Sequence, residues 1–426
     1  MKVGLACGVN YSFLVTRPCG TIPFVNKTAR TLVSLTVTLA FFAIAFASGY
    51  VARGRVDASA QAAAHAALGG SAAQADLGVY WQAWELLDRD FYGPQPDLTQ
   101  RTYGSIKGLV ATFNDRYTYF VEPEPHQLQS DTLRGSFGGI GAWIDQGETG
   151  YLLRPMRGQP AALAGVKEGD LLLKVDDSPI TLDLSADDVV ALVRGPIGSQ
   201  VCLTVERADA QPQELRLCMA RAEIQIPSVE WRLLNDKPET ATIGYIRHSN
   251  FSGRSAQEMR LALEELLAQG ADRFILDLRG NPGGLLDAAV EVSGLWLDGG
   301  VVLVEKHANG DERTFEANDG DLAGGRPLVV MVDGGSASAS EIVAGALQDR
   351  GRAVLVGEQT FGKGSVQLVH ELADASSLHV TTARWYTPDH HGIDGAGLTP
   401  DVVIEPGTDP LPAAINVVQE LAGGGF

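Results

Sequence analysis

The stretch Leu328-Val-Val-Met-Val-Asp-Gly-Gly-Ser-Ala-Ser-Ala-Ser-Glu341 begins with five apolar residues and continues into glycine, alanine and serine. A short apolar run bounded by turn residues predicts a buried strand. A helix is predicted from the serines to about Gln348, and 353–357 predicts the next strand. Upstream, 243–246 and 274–278 are further apolar runs separated by an amphipathic helical pattern. Strands that alternate with helices predict an α/β domain with a largely parallel sheet.

The serines of this stretch, Ser336, Ser338 and Ser340, stand where the strand turns into the helix. Serine at such a junction usually caps the helix by accepting a hydrogen bond from a free N–H group. The same junction suits a nucleophile, because small neighbours leave room for a substrate and the helix N-terminus offers N–H groups to an oxyanion. From the residues alone, capping is the commoner interpretation and the three serines are equivalent.

A second segment, Phe361-Gly-Lys-Gly-Ser-Val-Gln367, holds a lysine between two glycines, which allow the backbone to pack closely around it. Burial would lower the pKa of the Lys363 ammonium group and make its amine a usable base for a serine hydroxyl. Gln367 would orient that amine through its side-chain carbonyl. A lysine in an ordinary flexible loop is the alternative interpretation.

A third segment, Arg279-Gly-Asn-Pro-Gly-Gly284, follows a predicted strand, and its glycines would present N–H groups to an anion. It lacks the Lys-Ser/Thr ending of a phosphate loop, so it does not predict a nucleotide site. No H-E-x-x-H motif and no Cys/His cluster occurs in the sequence. A zinc peptidase is therefore disfavoured.

These segments together resemble the C-terminal processing (tail-specific) peptidase family, whose members are Ser-Lys serine peptidases with a PDZ domain. The resemblance covers roughly residues 78–405. Its most specific parts are 335–349, 360–367 and 275–284, and several separate motifs in the right order make a chance match improbable. It implies a serine endopeptidase that needs no metal or cofactor.

Roles at the predicted site follow from this resemblance. Ser338 corresponds to the nucleophile, Lys363 to the general base and Gln367 to the residue that orients the lysine. Gly284 and Ala339 correspond to the residues whose N–H groups form the oxyanion hole.

Asp349 also falls on an acidic position of the family motif. It lies on the same predicted helix as Ser338, and eleven residues of helix span about 16 Å. Direct contact with the nucleophile is therefore not expected, and Asp349 is interpreted as structural.

Residues 135–222 form a predicted β-rich unit that resembles the family's PDZ domain. Gly139-Ile140-Gly141-Ala142 matches its carboxylate-binding loop, whose N–H groups capture a chain-end carboxylate while the peptide adds as a strand. Val189, Val190 and Leu192 are expected to line the groove for an apolar last side chain. The alternative is a lid or spacer domain that binds no ligand strongly.

The N-terminal region consists of a basic segment followed by a long uncharged, mostly apolar segment. Residues 31–52 carry no charge and are mostly apolar, and the first 55 residues contain six basic residues and no acidic one. Roughly 20 apolar residues span a bilayer as a helix. A membrane anchor with a cytoplasmic basic end is favoured over a signal peptide cleaved near 58–60. Both interpretations place the chain after residue 56 outside the cytoplasm.

Two cysteines, Cys202 and Cys218, lie on predicted strands joined by a turn. A cross-strand disulfide would form in an oxidising compartment. A pair of buried free cysteines is the alternative, and it is slightly favoured.

The predicted fold is multidomain α/β + β, with a crotonase/ClpP-like α/β peptidase core, an inserted PDZ domain and an N-terminal helical region. The predicted order is a cytoplasmic segment (1–30), a transmembrane anchor or signal peptide (31–52), a linker (53–76), the helical region (77–134), the PDZ domain (135–222), the Ser-Lys peptidase core (223–406) and a C-terminal helix and tail (407–426).

The predicted function is a membrane-anchored, extracytoplasmic (periplasmic or cell-surface) serine endopeptidase that recognises protein substrates by apolar C-terminal tails. The helices around 81–113 resemble a dimerisation region of some members, so a homodimer or higher oligomer is considered. The net charge of −19 disfavours nucleic acid as a partner. Two alternatives remain: a catalytically silent PDZ adaptor, and, less favoured, an acyl-transfer enzyme of the crotonase type.

Overall fold

The computed structural model describes residues 72–208, 213–235, 237–318 and 320–424. The predicted segment 1–30, the anchor 31–52 and residues 53–71 of the linker lie outside this part. Within the described residues, no helix combines the length and the apolar character needed to cross a bilayer.

The chain divides into two units, the first ending at Asp97 and the second beginning at Leu98. The described part of the first unit contains helix α1 (Ala72–Asp90), whose aromatic residues Tyr80, Trp81 and Trp84 contact one another. Everything below concerns the second unit.

The second unit opens with helix α2 (Leu98–Ala111), strand β1 (Tyr119–Val121) and helix α3 (Pro123–Arg134). Helix α3 starts with a proline, which suits the first helical turn, and ends at Gly135, which has a φ of 79°. Strand β2 (Ser136–Gly139) leads directly from α3 into the predicted PDZ domain.

An antiparallel sheet with the order β3-β4-β5-β7-β8 forms the centre of the PDZ region, and β2 pairs separately with β9. The elements after β2 are β3 (Ala142–Gln146), β4 (Tyr151–Pro155), α4 (Pro160–Leu163), β5 (Asp170–Val175), β6 (Ser178–Pro179), α5 (Ala186–Val193), β7 (Gln200–Arg207), β8 (Gln213–Ala220) and β9 (Ala222–Gln225). Helix α5 begins with a capping box between Ser185 and Asp188.

Cys202 and Cys218 are joined by a disulfide with an S–S distance of 2.01 Å, so the favoured prediction of free buried cysteines is wrong. The two residues lie directly opposite each other in the register of β7 and β8. Their side chains point away from the core, because the neighbours Val201 and Leu203 fill it and alternate residues of a strand face opposite sides.

The predicted peptidase core contains a six-stranded sheet with the order β10-β11-β12-β15-β16-β19. Only β10 and β11 pair antiparallel, so the predicted largely parallel sheet is confirmed. Its strands and helices are β10 (Val229–Leu233), β11 (Ile243–His248), α6 (Ser255–Ala268), β12 (Arg273–Asp277), α7 (Leu286–Ser293), β15 (Leu328–Val332), α8 (Ala339–Asp349), β16 (Val354–Gly357), β19 (Val402–Val403) and α9 (Leu411–Ala422).

Both faces of this sheet are covered. Phe274 and Leu276 belong to the core that α6, α7 and α8 share, whereas Ile275 between them packs with α9. Burial on both faces explains why these strands are continuous apolar runs in the sequence.

A second, antiparallel sheet is built from β13 (Val301–His307), β14 (Glu312–Glu316), β17 (Ser365–Glu371), β18 (Ser377–Tyr386) and β1. Strand β18 is its centre, because it pairs with β17 along one edge and with β1 and β13 along the other. The predicted lysine segment runs into the start of β17, and its Gly362 and Lys363 N–H groups donate to Glu341 in the first turn of α8.

Candidate active site

A cavity of about 530 Å³ lies between α3, the turn before α7, the N-terminus of α8 and β17. All five residues predicted for the catalytic site line it: Gly284, Ser338, Ala339, Lys363 and Gln367. Three segments that are distant in the sequence thus meet in one cavity.

Ser338 occupies an unusual backbone conformation immediately before α8, with φ 55° and ψ −115°. A non-glycine residue in such a conformation is strained and is found most often at functional sites. The turn is crowded by Gly283, where an added Cβ would lie 2.7 Å from the Ala337 carbonyl oxygen and 2.8 Å from the Ser338 Cβ. Glycine at 283 therefore allows the two loops to approach closely.

The structure distinguishes the three serines, which the residues alone left equivalent and of which the family resemblance selected Ser338. Ser336 and Ser340 are fully buried, and their hydroxyls donate to the carbonyls of Leu278 (2.8 Å) and Asn281 (2.9 Å). Ser338 is only partly buried, and it alone of the three lines the cavity.

Lys363 is partly buried, and its Nζ donates to Gln367 Oε1 at 3.1 Å. Gln367 Nε2 in turn donates to the carbonyl of Tyr117 at 3.2 Å, which directs the Oε1 atom towards the lysine. Burial lowers the pKa of Lys363, although the negative charge of Glu341 opposes this shift. The Nζ atom also lies 5.4 Å from the centre of the Tyr117 ring.

Glu341 connects the serine turn to the lysine segment. Its fully buried carboxylate accepts hydrogen bonds from the N–H groups of Ser338 (2.8 Å), Lys363 (2.9 Å) and Gly362 (2.7 Å), and from the hydroxyl of Thr360 (2.5 Å). Sequence reasoning assigned this residue no functional role. Its position three residues after a helix-capping serine, the spacing of a capping box, was the available signal.

Gly284 and Ala339, the predicted oxyanion-hole residues, both lie at the cavity wall. Among the described residues, neither N–H group has a hydrogen-bond acceptor. Gly284 is held in place by Phe251, whose carbonyl accepts from Leu285 N at 2.9 Å. An added Cβ at Gly284 would lie 2.0 Å from that carbonyl oxygen, so only glycine fits.

The remainder of the cavity is mostly apolar. Its lining includes Leu128, Leu133, Leu285, Leu286, Ile342, Val366, Val369 and Trp385. Polar groups at its edge include Tyr119 and His379, whose rings stack with centroids 4.4 Å apart. Burial lowers the pKa of His379, which favours its neutral imidazole form.

The predicted carboxylate-binding loop adjoins strand β3, which forms one edge of the PDZ sheet. The carbonyls of Ile140 and Gly141 accept hydrogen bonds from Ala161 and Met156, while their N–H groups have no acceptor among the described residues. Gly139 pairs with Ala222 between β2 and β9, and Ala142 begins β3.

One expectation for the PDZ groove is corrected. Val189 is fully buried in the PDZ core and does not line an open groove, because the inner side of α5 packs on the sheet. Val190 and Leu192 of the same helix remain accessible.

Asp349 lies at the far end of α8, where its carboxylate accepts from the N–H of Asp389 at 2.9 Å. It also contacts the imidazole of His391 at 3.4 Å. Neither partner belongs to the cavity lining, in agreement with a structural role.

The fold and this cavity define a peptidase core that carries a PDZ domain. The chain belongs to peptidase family S41: the model of that family matches residues 242–404, and the model of the PDZ domain matches residues 152–207. It is accordingly a serine peptidase.

Similar proteins bear names of one kind. A carboxyl-terminal-processing protease of Synechocystis is 41% identical over 329 residues, which are 76% of this chain and 76% of the relative. The carboxy-terminal processing protease CtpA of Bacillus subtilis is 34% identical over 76% of this chain and 68% of its own. A solved structure of a photosystem II D1 C-terminal processing protease is 30% identical over 80% of this chain and 90% of its own, with a TM-score of 0.46.

Proposed function

We propose that this chain cleaves protein substrates after recognising their C-terminal tails, with Ser338 as nucleophile and Lys363 as general base. The main support for this proposal is that Ser338 and Lys363, a lysine of lowered pKa, line the same cavity. A neutral amine is the form of lysine that can accept the serine proton.

The proposed reaction has two steps. Ser338 Oγ attacks the scissile carbonyl while its proton passes to Lys363 Nζ, and the N–H groups of Gly284 and Ala339 stabilise the oxyanion. The Lys363 ammonium then returns the proton to the leaving amine, and an acyl-enzyme forms. Lys363 next deprotonates a water molecule, which hydrolyses the ester and regenerates Ser338. Gln367 keeps the amine directed throughout, and no step uses a metal or cofactor.

Substrate recognition is proposed to begin at the PDZ loop Gly139-Ile140-Gly141-Ala142. The unpaired N–H groups of Ile140 and Gly141 support capture of a terminal carboxylate. The free edge of β3 supports addition of the tail as a strand. The accessible side chains of Val190 and Leu192, together with the apolar cavity, favour tails with apolar residues.

We also propose that the enzyme acts outside the cytoplasm and that residues 31–52 anchor it in the membrane. The Cys202–Cys218 disulfide supports an oxidising compartment. N-terminal sequencing of the mature protein tests the anchor, because a start near residue 60 would indicate a cleaved signal peptide. A crotonase/ClpP-like core and assembly into a homodimer or higher oligomer remain proposals that rest on the family resemblance.

Substitution of the dyad tests the reaction. Ser338→Ala and Lys363→Ala are each expected to abolish cleavage of a folded reporter protein that ends in an apolar tail, with unchanged thermal unfolding. Lys306→Ala, at an exposed lysine outside the cavity, serves as the matched control. Normal turnover in either dyad variant would overturn the assignment.

A second comparison addresses the tail and the adaptor alternative. The same reporter with two terminal aspartates is expected to be cleaved more slowly through a higher KM. A silent PDZ adaptor would bind the apolar tail without cleaving it and would not be labelled at Ser338 by a serine-reactive probe.

A further inference from the structure

Ser365 carries a buried hydroxyl for which the described residues provide no hydrogen-bond partner. The residue is 7% exposed and lines the active-site cavity. Buried polar atoms nearly always have a partner, and a buried hydroxyl without one destabilises the fold. An unpaired group at this site calls for a functional explanation.

The position of Ser365 relates it to the proposed base. The pairing of β17 with β18 contains a bulge, because Val366 pairs with Ala383 and Gln367 with Thr381. The extra residue, Thr382, lies on β18, so β17 itself continues without interruption. Alternate residues of a strand share a face, so Ser365 and Gln367 lie on the same face of β17, and both line the cavity that Lys363 also lines. Lys363 and Gln367 are hydrogen-bonded to each other at 3.1 Å, and Ser365 lies between them in the chain.

Protonation of the lysine changes the number of hydrogen bonds that it needs. A neutral amine has two N–H donors, whereas the ammonium has three and no acceptor capacity. Gln367 Oε1 takes one donor, and the reacting group takes a second. The nearby Glu341 carboxylate already accepts four hydrogen bonds. The unpaired Oγ of Ser365, which lines the same cavity, is available as an acceptor for the third.

We propose that Ser365 Oγ accepts a hydrogen bond from the Lys363 ammonium that forms once the proton has left Ser338. Ser365 is thus a positioning residue that stabilises the charged intermediate state more than the resting state, which is how a contact accelerates a reaction. This inference rests on the proposed role of Lys363 as general base.

Several other charged or titratable groups near Lys363 also influence its pKa. Glu341 approaches from α8, Tyr117 from the segment before β1, and His379 from β18. Asp394 packs beside Gly364 and forms an ion pair with Arg384 at 2.8 Å. A Ser365→Ala substitution leaves all of these groups in place, so a change in the lysine titration reports the lost hydroxyl.

The test is the pH dependence of turnover by the full chain on an internally quenched peptide with an apolar C-terminus. In Ser365→Ala, kcat is expected to fall about tenfold or more, since a hydrogen bond to a charged group is lost. The acidic limb of kcat/KM, which reports the lysine of the free enzyme, is expected to move down by about one pH unit. Ser365→Thr retains a hydroxyl and is expected to restore both values towards wild type.

Ser293→Ala is the matched control. Ser293 is also fully buried with an unpaired hydroxyl, but it lies at the end of α7 and does not line the cavity. The same chemical change there is expected to leave the pH profile unaltered.

Three results would overturn the inference. A limb that moves to higher pH would mean that the substitution admits water and restores an ordinary lysine pKa. A raised KM with an unchanged limb would mean that Ser365 binds substrate instead, and wild-type kinetics would mean that water satisfies the hydroxyl. If Ser338→Ala and Lys363→Ala abolish turnover while Ser365→Ala behaves in any of these ways, only the role of Ser365 fails.

Discussion

The buried carboxylate of Glu341 offers a direct test of how the active site is held together. Its Oε2 atom accepts from the N–H groups of Ser338 and Lys363, and its Oε1 atom accepts from Gly362 N and the Thr360 hydroxyl. In Glu341→Gln, one oxygen becomes an NH₂ group that cannot accept. The NH₂ group should replace Oε1, because the Thr360 hydroxyl can reverse its role whereas two backbone N–H groups cannot.

The size of the effect follows from this arrangement. The Gly362 N–H loses its acceptor, which costs about 1–3 kcal/mol. The remaining bonds also weaken, because hydrogen bonds to an ionised acceptor are roughly twice as strong as neutral ones. A total loss of about 2–4 kcal/mol is expected, against about 5–15 kcal/mol for the stability of a typical domain. The variant should therefore fold but unfold more readily.

The substitution also removes a negative charge that raises the pKa of Lys363. The lysine pKa should fall further, so the acidic limb of kcat/KM should move to lower pH while the maximum rate declines. Urea unfolding and the pH profile measure the two effects, and Glu264→Gln, on the exposed side of α6, is the control. An unfolding free energy within about 0.5 kcal/mol of wild type, the scatter of ordinary surface changes, would refute the bridging role.

Three further predictions concern stability. Burial lowers the pKa of His248 from 6.5 to about 4. The free energy of unfolding should therefore be highest above pH 6.5 and fall by about 3 kcal/mol as the pH is lowered towards 4. Urea unfolding at several pH values measures this loss, which should be absent in His248→Phe. Replacing Cys202 and Cys218 by serine should cost about 3 kcal/mol, and a thiol reagent should label neither residue before reduction. Burial raises the pKa of Asp170, but hydrogen bonds from Arg207 and a backbone N–H outweigh it and lower the pKa. The ionised Asp170 carboxylate therefore stabilises the folded state above about pH 4, and this contribution is lost as the pH falls further. Asp170→Asn should lower the melting temperature of the PDZ domain.

The central strands were predictable because the information is local. A strand buried on both faces must be apolar at every position, so 274–278 and 328–332 could be identified without knowledge of their partners. The structure gives β12 as Arg273–Asp277 and β15 as Leu328–Val332, a difference of one residue at most.

Contacts between distant segments were not predictable in this way. Tyr117 fixes the orientation of Gln367 from a loop that is about 250 residues away in the chain. Glu341 was visible as a helix-cap residue, but nothing local to it indicated that its carboxylate reaches Gly362 and Lys363. The direction in which Cys202 and Val189 point depended equally on the packing of their elements, and both were misjudged from sequence.

The arrangement around Lys363 contains an apparent conflict whose resolution explains the choice of residues. Lys363 must be neutral to act as a base, but the backbone around it is bound by the buried carboxylate of Glu341. The negative charge of that carboxylate favours the ammonium form of the lysine. Three backbone N–H groups and the Thr360 hydroxyl donate to Glu341 and spread that charge over both loops, and the effect of burial on the lysine remains larger. A neutral side chain in place of Glu341 would favour the neutral amine but weaken the hydrogen bonds that hold the two loops together. A fully hydrogen-bonded carboxylate meets both requirements, because it binds the backbone N–H groups of Ser338 and Lys363 at an electrostatic cost that burial of the lysine offsets.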